Sequence, residues 1–269
     1  MAIVALVRRN WRRGVVLNLD MKRILLATAG AIALCGLLPV AADATITELG
    51  ATTSPLIAPT CPKGQPTSSC LIILNRVTAL ETIRDNVAYP SKVTQAGRIV
   101  AFTVGLSALS TNATTQQSDV KYLDTTFGGD AQVAITVLKQ VGKRNAWTWQ
   151  VVAQSPLVDV QPYIGQVAQF PLTTSIPVVR GETIALTTPT WAPVLTIDLS
   201  TSHFAYRQSR GRNCGHPPAG SQAQVSVGQS TAYSCDYPGT RVEYSATEVT
   251  NPATTTTTTT TTTAPTTKK

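Results

Sequence analysis

The aromatic side chains of this chain are better candidates for a functional site than its acids or bases. Exposed aromatic rings hold sugars, because the apolar face of a pyranose stacks on the ring while nearby amides and carboxylates bind its hydroxyl groups. Trp191 lies between Pro189 and Pro193, in a segment that is unsuited to pair as a central strand. We therefore expect Trp191 in a loop or at a sheet edge, where it either binds ligand or plugs one end of the fold. Tyr163 and Tyr206 are the further ligand-binding candidates.

Two other tryptophans, Trp147 and Trp149, are expected to be structural. They share one strand face with Val151, and polar residues alternate with all three. This pattern is more typical of a core than of a binding surface. We therefore expect both rings to be buried.

Acid–base residues are sparse, because His203 and His216 are the only two histidines. A Ser-His-Asp arrangement can be written with His203 and Asp198, but no Gly-x-Ser-x-Gly sequence supplies the nucleophile. A glycosidase needs two carboxylates facing across a cleft, and sequence spacing places no such pair. The sequence therefore identifies no catalytic residue and favours a non-enzymatic protein. The carboxylates that a hydrolase could use are Asp124, Asp130, Asp159, Asp198 and Glu182.

Calcium is the one ion for which the sequence offers hard oxygen ligands. Asp119, Asp124 and Asp130 lie close together around Gly128-Gly129, which predicts an acidic, flexible loop. The spacing is not that of an EF-hand, and hairpin turns favour Asp and Gly in any case. No cofactor is therefore expected, with calcium as the alternative.

Four cysteines follow the predicted leader: Cys61, Cys70, Cys214 and Cys235. In an oxidising compartment an even number indicates disulfides, and the spacing favours Cys61–Cys70 and Cys214–Cys235. The alternative is a zinc site built from Cys214, His216 and Cys235, but that ligand spacing fits no standard pattern. Two local disulfides are the prediction.

Residues 1–44 have the layout of a leader with a secretory signal. Met21-Lys22-Arg23 is cationic, Ile24–Val40 is apolar, and Ala42-Asp43-Ala44 places small residues at the positions that a signal peptidase recognises. We expect cleavage before Thr45, with Met21 as the alternative translation start. The apolar run is short for a membrane span, so no stable span is expected after cleavage.

Segments in which every second residue is apolar recur along the rest of the chain. Arg98–Leu106, Ala131–Val141 and Ala146–Ala153 are the clearest, and turn-forming residues separate them. Helical signal is almost absent. Its best candidate, Val77–Arg84, is rich in β-branched residues, which argues against a helix. The fold class expected is therefore all-β, an antiparallel, jelly-roll-like β-sandwich with disordered termini.

Composition divides the mature chain into three parts. Residues 45–69 form a Pro/Thr/Ser-rich lead-in, residues 70–250 the sandwich domain, and residues 251–269 a Thr/Pro tail that we expect to be disordered. The formal charge of +8 includes six basic and two acidic residues in the leader, so the balance after cleavage is small. This excludes the basic surplus typical of nucleic-acid-binding proteins. A cluster of three arginines could meet an anionic polymer or remain solvated: Arg207, Arg210 and Arg212.

Short strings spread from residue 97 to residue 247 carry a family resemblance. They are Gly97–Phe102, Val178–Leu186, Pro189–Pro193, Cys235–Arg241 and Tyr244–Ala246. In these strings the chain resembles a family of secreted actinobacterial β-sandwich proteins without assigned biochemistry. The resemblance implies a β-sandwich fold and a bacterial cell-envelope setting. It implies no reaction.

These observations favour a secreted, non-catalytic module that binds glycan or cell-wall polymer, or that acts in surface interactions. The alternatives are a secreted hydrolase with an unrecognised carboxylate or histidine site and a self-associating structural component. Nucleic acid is not an expected partner, and the expected location is extracellular or in the cell envelope.

Overall fold

The computed structural model describes residues 44–63, 72–142, 147–211, 214 and 222–250. The predicted leader up to residue 43 and the predicted tail of residues 251–269 lie outside the described residues. So do Cys70, Arg212 and His216.

Antiparallel strands make up about half of the described chain, as the alternation of apolar and polar residues predicts. A single long helix, α1 (Ala113–Phe127), stands between the fourth and fifth strands of the described residues. The strands are β1 Ile46–Leu49, β2 Leu74–Arg84, β3 Val87–Ala88, β4 Gly97–Gly105, β5 Gln132–Val141, β6 Thr148–Gln154, β7 Val158–Asp159, β8 Val167–Val178, β9 Thr183–Ala192, β10 Leu195–Thr196, β11 Phe204–Gln208, β12 Ser230–Ala232, β13 Cys235–Pro238, β14 Arg241–Val242 and β15 Tyr244–Thr250.

The strands form two main sheets, and every pairing in them is antiparallel. The smaller sheet has the order β1-β15-β4-β8. The larger sheet has the order β12-β6-β5-β9-β2-β11-β13, with β3 beside β2 and β7 beside β5. A two-stranded ribbon of β10 and β14 lies beside them. The predicted all-β sandwich is therefore confirmed, and its larger sheet is curled.

The main core lies between the two sheets. The smaller sheet contributes Phe102 and Tyr244, and the larger sheet contributes Val77, Ile135 and Leu186, all of them fully buried. Burial of each such side chain stabilises the fold by roughly 1.5–3 kcal/mol. Alternate apolar residues of the predicted strands therefore face the core between the sheets, as period-2 alternation requires.

The opposite face of the larger sheet is also buried, because the segment 222–234 packs against it. A second hydrophobic cluster lies there, so β5 and β9 are covered on both sides. Its buried members are Leu80, Leu138, Trp149, Val151, Ala185 and Tyr233.

Next to this cluster, buried hydroxyl and amide groups bond to one another. The Oγ1 atom of Thr187 lies 2.8 Å from that of Thr78 and 2.6 Å from that of Thr136. Gln154 donates to Thr136 at 2.6 Å and to the carbonyl of Gln224 at 2.8 Å. The three threonines are fully buried, and their hydroxyls satisfy each other's hydrogen bonds.

The helix α1 contradicts the expectation of an almost helix-free chain. Its N-cap Asn112 accepts a hydrogen bond from the backbone of Thr115 at 3.0 Å, and Gly128 closes it in the left-handed conformation. Leu123 is its one buried residue. The sequence gives little helical signal because a mostly exposed helix rich in Thr, Ser and Gln has a weak apolar periodicity.

The lead-in predicted at residues 45–69 belongs to the fold over its described part. β1 pairs with β15. After β1, the side chains of two buried arginines donate hydrogen bonds to backbone carbonyl groups of the lead-in. Arg84 donates to the carbonyl of Ser54 at 3.1 Å, and Arg241 donates to that of Pro55. The sandwich therefore begins about 25 residues earlier than the composition suggests.

Candidate ligand-binding site

Trp191 is wrongly predicted as a loop or edge residue, because it lies in β9 and is fully buried. Its Nε1 atom donates to Oδ1 of Asp124 at 2.9 Å and to the carbonyl of Gly129 at 3.1 Å. Pro189 is tolerated because the pairing of β9 with β5 ends at Thr187, and because the register with β2 shifts at Pro189 on the other side. No surface of the ring remains for a ligand.

Tyr206 is also buried, with 2% of its surface exposed, and it lines a cavity beside the Cys214–Cys235 disulfide that neither Trp191 nor Tyr163 lines. Its hydroxyl accepts a hydrogen bond from Nε2 of Gln208 at 2.8 Å. Tyr163 remains 40% exposed and its ring meets Phe170 edge-on, with the centroids 5.2 Å apart. The structure therefore does not bring Trp191, Tyr163 and Tyr206 together in one site.

The predicted calcium loop is part of α1 and the turn after it. Asp124 is engaged by the Trp191 indole and by Nε2 of Gln161, which lies 3.3 Å from its Oδ2 atom. Asp119 lies one helical turn earlier, within α1. Within the described ranges, no three Asp, Glu, His or Cys side chains cluster in a way that could hold a metal ion.

The predicted disulfide Cys214–Cys235 is confirmed. Both thiols are consumed by it, so the zinc alternative loses two of its three ligands. Cys61 is also disulfide-bonded, and its predicted partner Cys70 lies outside the described residues. A disulfide fits an extracellular protein.

The predicted acid–base candidates make local contacts. His203 Nδ1 lies 3.0 Å from the hydroxyl of Ser200 in an exposed turn. Asp159 accepts a hydrogen bond from the backbone amide of Gln161, and Glu182 accepts one from the backbone amide of Val179. Such contacts stabilise turns, and they assemble no catalytic pair.

A different set of charges converges inside the fold. Glu81 and Glu243 are fully buried, and Arg84 and Arg241 pair with them. Burial raises the pKa of Glu81 to about 8, although Arg84 opposes the shift. The segment around Ser54 covers this group, and neither glutamate lines any of the three cavities described for the molecule. The cluster therefore offers no access to a substrate.

One open cleft combines aromatic rings with polar groups, and we call it the aromatic cleft. The aromatic cleft lies beside the start of β6, the end of β5 and the start of β9. The turn before β4 also contributes to it. Its volume is about 320 Å³. It is lined by Tyr89, Lys92, Gln140, Trp147, Trp149, Gly181 and Thr183.

Two aromatic residues of the aromatic cleft have left-handed backbone conformations. Tyr89 has a φ of 49° and Trp147 a φ of 47°. Large side chains rarely adopt this region, and each such residue costs roughly 1–2 kcal/mol. Hydrogen bonds hold both in place: Tyr89 donates its amide to the carbonyl of Thr82, and the carbonyl of Trp147 accepts from Tyr233, each at 2.8 Å. The fold thus maintains strain at two cleft residues.

The rings of the cleft differ in exposure. Trp149 is 5% exposed, as predicted, and lies in the second hydrophobic cluster. Trp147, predicted to be buried beside it, precedes β6 and is only partly buried, because its backbone conformation takes it off the strand face. The guanidinium group of Arg207 lies 4.1 Å from the centroid of the Trp147 ring, and Asp236 pairs with Arg207 at 3.4 Å.

Two buried polar atoms of cleft residues have no hydrogen-bond partner among the described residues. They are Nε1 of Trp149 and Oγ1 of Thr183. A buried donor or acceptor left without a partner costs roughly 1–3 kcal/mol. Polar atoms of this kind are candidates for contact with a ligand or with ordered water.

Sequence reasoning missed the aromatic cleft for two reasons. Tyr89 and Trp147 are 58 positions apart along the chain and meet only through sheet pairing. The alternation around Trp147 also predicts a continuous strand, and no sequence signal marks the left-handed residue that breaks it. Asn145 before it, a turn former, is the only local hint.

Comparison with protein-family models, with curated proteins and with solved structures finds no match to this chain. The resemblance to secreted actinobacterial proteins therefore gains no support from these comparisons. Among the described residues, no helix is long and apolar enough to cross a membrane. A function for this protein is therefore inferred from the geometry of the site.

Proposed function

We propose that this protein is a secreted, non-catalytic module that binds glycan, such as a cell-wall polysaccharide, in the aromatic cleft. The observation that carries the proposal is the pair of strained aromatic residues, Tyr89 and Trp147, lining one open cleft. Strain at a backbone position persists only where the surroundings enforce it, and it concentrates at ligand sites.

The chemistry of the aromatic cleft suits a sugar. Tyr89 and Trp147 offer ring faces or edges to the apolar side of a pyranose. Lys92 and Gln140, both exposed, together with the hydroxyl of Thr183, offer hydrogen bonds to its hydroxyl groups. A volume of about 320 Å³ lies at the small end of ligand sites, which fits one or two sugar rings of a longer chain.

The absence of a matching acid pair in the aromatic cleft supports binding over hydrolysis. Its lining residues, described above, include no Asp or Glu. The buried glutamates Glu81 and Glu243 do not line it. Retaining and inverting glycosidases both need two carboxyl groups at the bond that they cleave.

The test is co-sedimentation of the full, oxidised chain with purified bacterial cell walls, using Trp147→Gly as the main variant. Glycine adopts a φ of 47° without penalty, so this change removes the ring while relieving backbone strain. We expect at least a tenfold loss of affinity, since an aromatic contact worth roughly 1.4 kcal/mol corresponds to that factor. The melting temperature should not fall below that of Trp147→Ala.

Tyr163→Ala is the matched control, because Tyr163 is an exposed aromatic residue that does not line the aromatic cleft. Its wall binding should equal that of the unmodified chain. Equal binding by Trp147→Gly, or the same loss in both variants, would contradict the proposed site. No binding by the unmodified chain to any wall preparation would contradict the function itself.

A further inference from the structure

We propose that a second cavity, beside the Cys214–Cys235 disulfide, binds a small monocarboxylate that has an apolar body. We call it the disulfide cavity. Its volume is about 450 Å³, within the range of small-molecule sites. It is separate from the aromatic cleft, with which it shares no lining residue. The inference therefore does not depend on the proposed glycan site.

Apolar side chains from three parts of the fold form much of the wall of the disulfide cavity. Ile73 precedes β2, Phe127 ends α1, and Leu195 and Ile197 lie in and after β10. Leu195 is buried, whereas the other three are partly buried. Such a wall favours a ligand whose body is aliphatic or aromatic, since apolar surface is removed from water on binding.

A buried cation lines the same cavity. Arg210 is only 5% exposed, and no carboxylate of the described residues lies within 4.0 Å of its guanidinium group. Its Nε atom has no hydrogen-bond partner among those residues. A buried charge without a counter-ion is unfavourable, and a bound anion would offset that cost.

The neighbouring tyrosines do not neutralise Arg210. Burial raises the pKa of both Tyr206 and Tyr237, and the nearby Arg210 opposes the shift. Both phenols therefore stay uncharged at neutral pH. The hydroxyl of Tyr237 already donates to the carbonyl of Cys214, so only that of Tyr206 can donate to an anion. Neither phenol balances the charge of Arg210, which leaves that role to a ligand.

Two amide oxygens also lack partners. Oε1 of Gln208 and Oδ1 of Asn75 are buried acceptors without a hydrogen bond among the described residues. Both residues line the disulfide cavity, and Gln208 uses its Nε2 atom to bond Tyr206. A hydroxyl group near the carboxylate of the ligand would satisfy an acceptor of this kind. The preferred ligand class is therefore a hydroxy acid with an apolar body.

The disulfide holds one wall of the cavity in place. The hydroxyl of Tyr237 donates to the carbonyl of Cys214 at 2.7 Å, and its ring stacks on Tyr206 with the centroids 4.9 Å apart. Cys235 begins the strand that carries Tyr237. Reduction of the disulfide should therefore loosen this wall and weaken ligand binding.

The experiment is isothermal titration of the full, oxidised chain with decanoate, 3-hydroxydecanoate and 1-decanol. We expect decanoate to bind at least tenfold more tightly than the alcohol, because only the acid supplies a charge to Arg210. We expect 3-hydroxydecanoate to bind more tightly than decanoate. Reduction with dithiothreitol should weaken the binding of both acids.

Arg210→Met tests the anion contact, and Arg207→Met is the matched control. Arg207 lies three residues earlier in the chain but contacts Trp147 instead of the disulfide cavity. Arg210→Met should lower decanoate affinity at least tenfold without lowering the melting temperature, because it removes an unpaired buried charge. Ile197→Trp, which fills the cavity, should abolish binding while Arg207→Met leaves it unchanged.

Three outcomes would overturn the inference. They are no binding of either acid at millimolar concentration, equal affinity for decanoate and 1-decanol, and unchanged decanoate binding by Arg210→Met. The same titrations on Trp147→Gly should match the unmodified chain, since Trp147 does not line this cavity. Failure here would thus leave the glycan proposal standing, and the reverse also holds.

Discussion

The carboxyl group of Glu81 shows how one buried side chain can set the pH dependence of the whole fold. Glu81 is fully buried, and its Oε2 atom lies 3.5 Å from Nη1 of Arg84. Burial raises its pKa from 4.5 to about 8, with Arg84 opposing the shift. The folded protein therefore retains at Glu81 a proton that the unfolded chain releases near pH 4.5.

This difference predicts that stability falls as the pH rises from about 4.5 to about 8. A raised pKa in the folded state contributes stability that is complete below the unfolded value and is lost as the pH passes through the folded value. Glu81→Gln imitates the protonated group and should flatten this slope, so that the variant is the more stable protein at pH 8.5. Denaturant unfolding at pH 4, 6 and 8.5 measures the effect, which should be a few kcal/mol at most.

Asp236→Asn makes the same carboxyl-to-amide change at a half-exposed residue, and it should leave the pH dependence of stability unchanged. A slope that survives in Glu81→Gln would show that another group carries the pH dependence. Asp85 does not confound this window. Partial burial opposes its ionisation, but hydrogen bonds from Ser54 and Thr52 hold the pKa of Asp85 well below its usual range, so its contribution is lost only in strong acid.

At the same scale, single aromatic residues limited what could be predicted about the site. The alternation of Trp147, Trp149 and Val151 correctly predicts that Trp149 is buried. It fails for Trp147, because a left-handed backbone conformation is set by the tertiary contacts around Tyr233 and Arg207. Local pattern cannot report contacts that come from residues 60 or more positions away.

The helix α1 illustrates the corresponding problem for secondary-structure elements. The strands are predictable because β-branched and aromatic residues alternate with polar ones over most of the larger sheet. α1 is rich in Thr, Ser and Gln, and only Leu123 is buried, so its helical state depends on caps and on a few tertiary contacts. Two of these contacts are made by Asp124, which accepts from the indole of Trp191 and from Gln161.

We predict an energetic coupling between Trp191 and Asp124. Trp191→Phe and Asp124→Ala should each lower the free energy of unfolding by about 1–3 kcal/mol, because a buried hydrogen bond to a charged group is lost. The double variant should lose less than the sum, since the hydrogen bond between the two side chains can be lost only once. Urea denaturation of the four proteins completes the cycle.

Asp119→Ala on the same helix provides the control for helix propensity, because no hydrogen bond joins Asp119 to Trp191 in the described structure. Additive losses for the Trp191 and Asp124 variants would mean that the indole bond does not anchor α1. In that case the caps at Asn112 and Gly128 would have to supply the stability of the helix.

At the scale of the molecule, the sequence predicts that strands exist but does not predict their order in the sheets. β5 and β6 are neighbours in sequence, but other pairings in the larger sheet bring together distant segments, such as β2 with β9 and β5 with β9. The lead-in escaped as well, because its Pro, Thr and Ser residues have no strand pattern. It fits against the sheet by close contact: a Cβ atom on Gly105 would lie 1.9 Å from the carbonyl oxygen of Ile57.

The two ends of the described sandwich lie side by side, and this arrangement determines how the fold would respond to mechanical load. The amide of Thr250 donates to the carbonyl of Thr45 at 2.8 Å, and β1 runs antiparallel to β15 from that point. Tension applied through the termini would therefore open the β1–β15 ladder one hydrogen bond at a time, like a zipper. In this geometry the load is not shared, because each hydrogen bond between β1 and β15 bears it in turn.

We expect unfolding at lower force when the chain is pulled by its termini than when it is pulled between its N-terminus and the exposed Val225. Single-molecule force spectroscopy with the two attachment geometries measures the difference, and equal forces would argue against unzipping. Once β1 has peeled away, the pull reaches Ser54 and Pro55, whose carbonyls hold Arg84 and Arg241. The first yielding step would thus uncover the buried charges before it disturbs the aromatic cleft or the disulfide cavity.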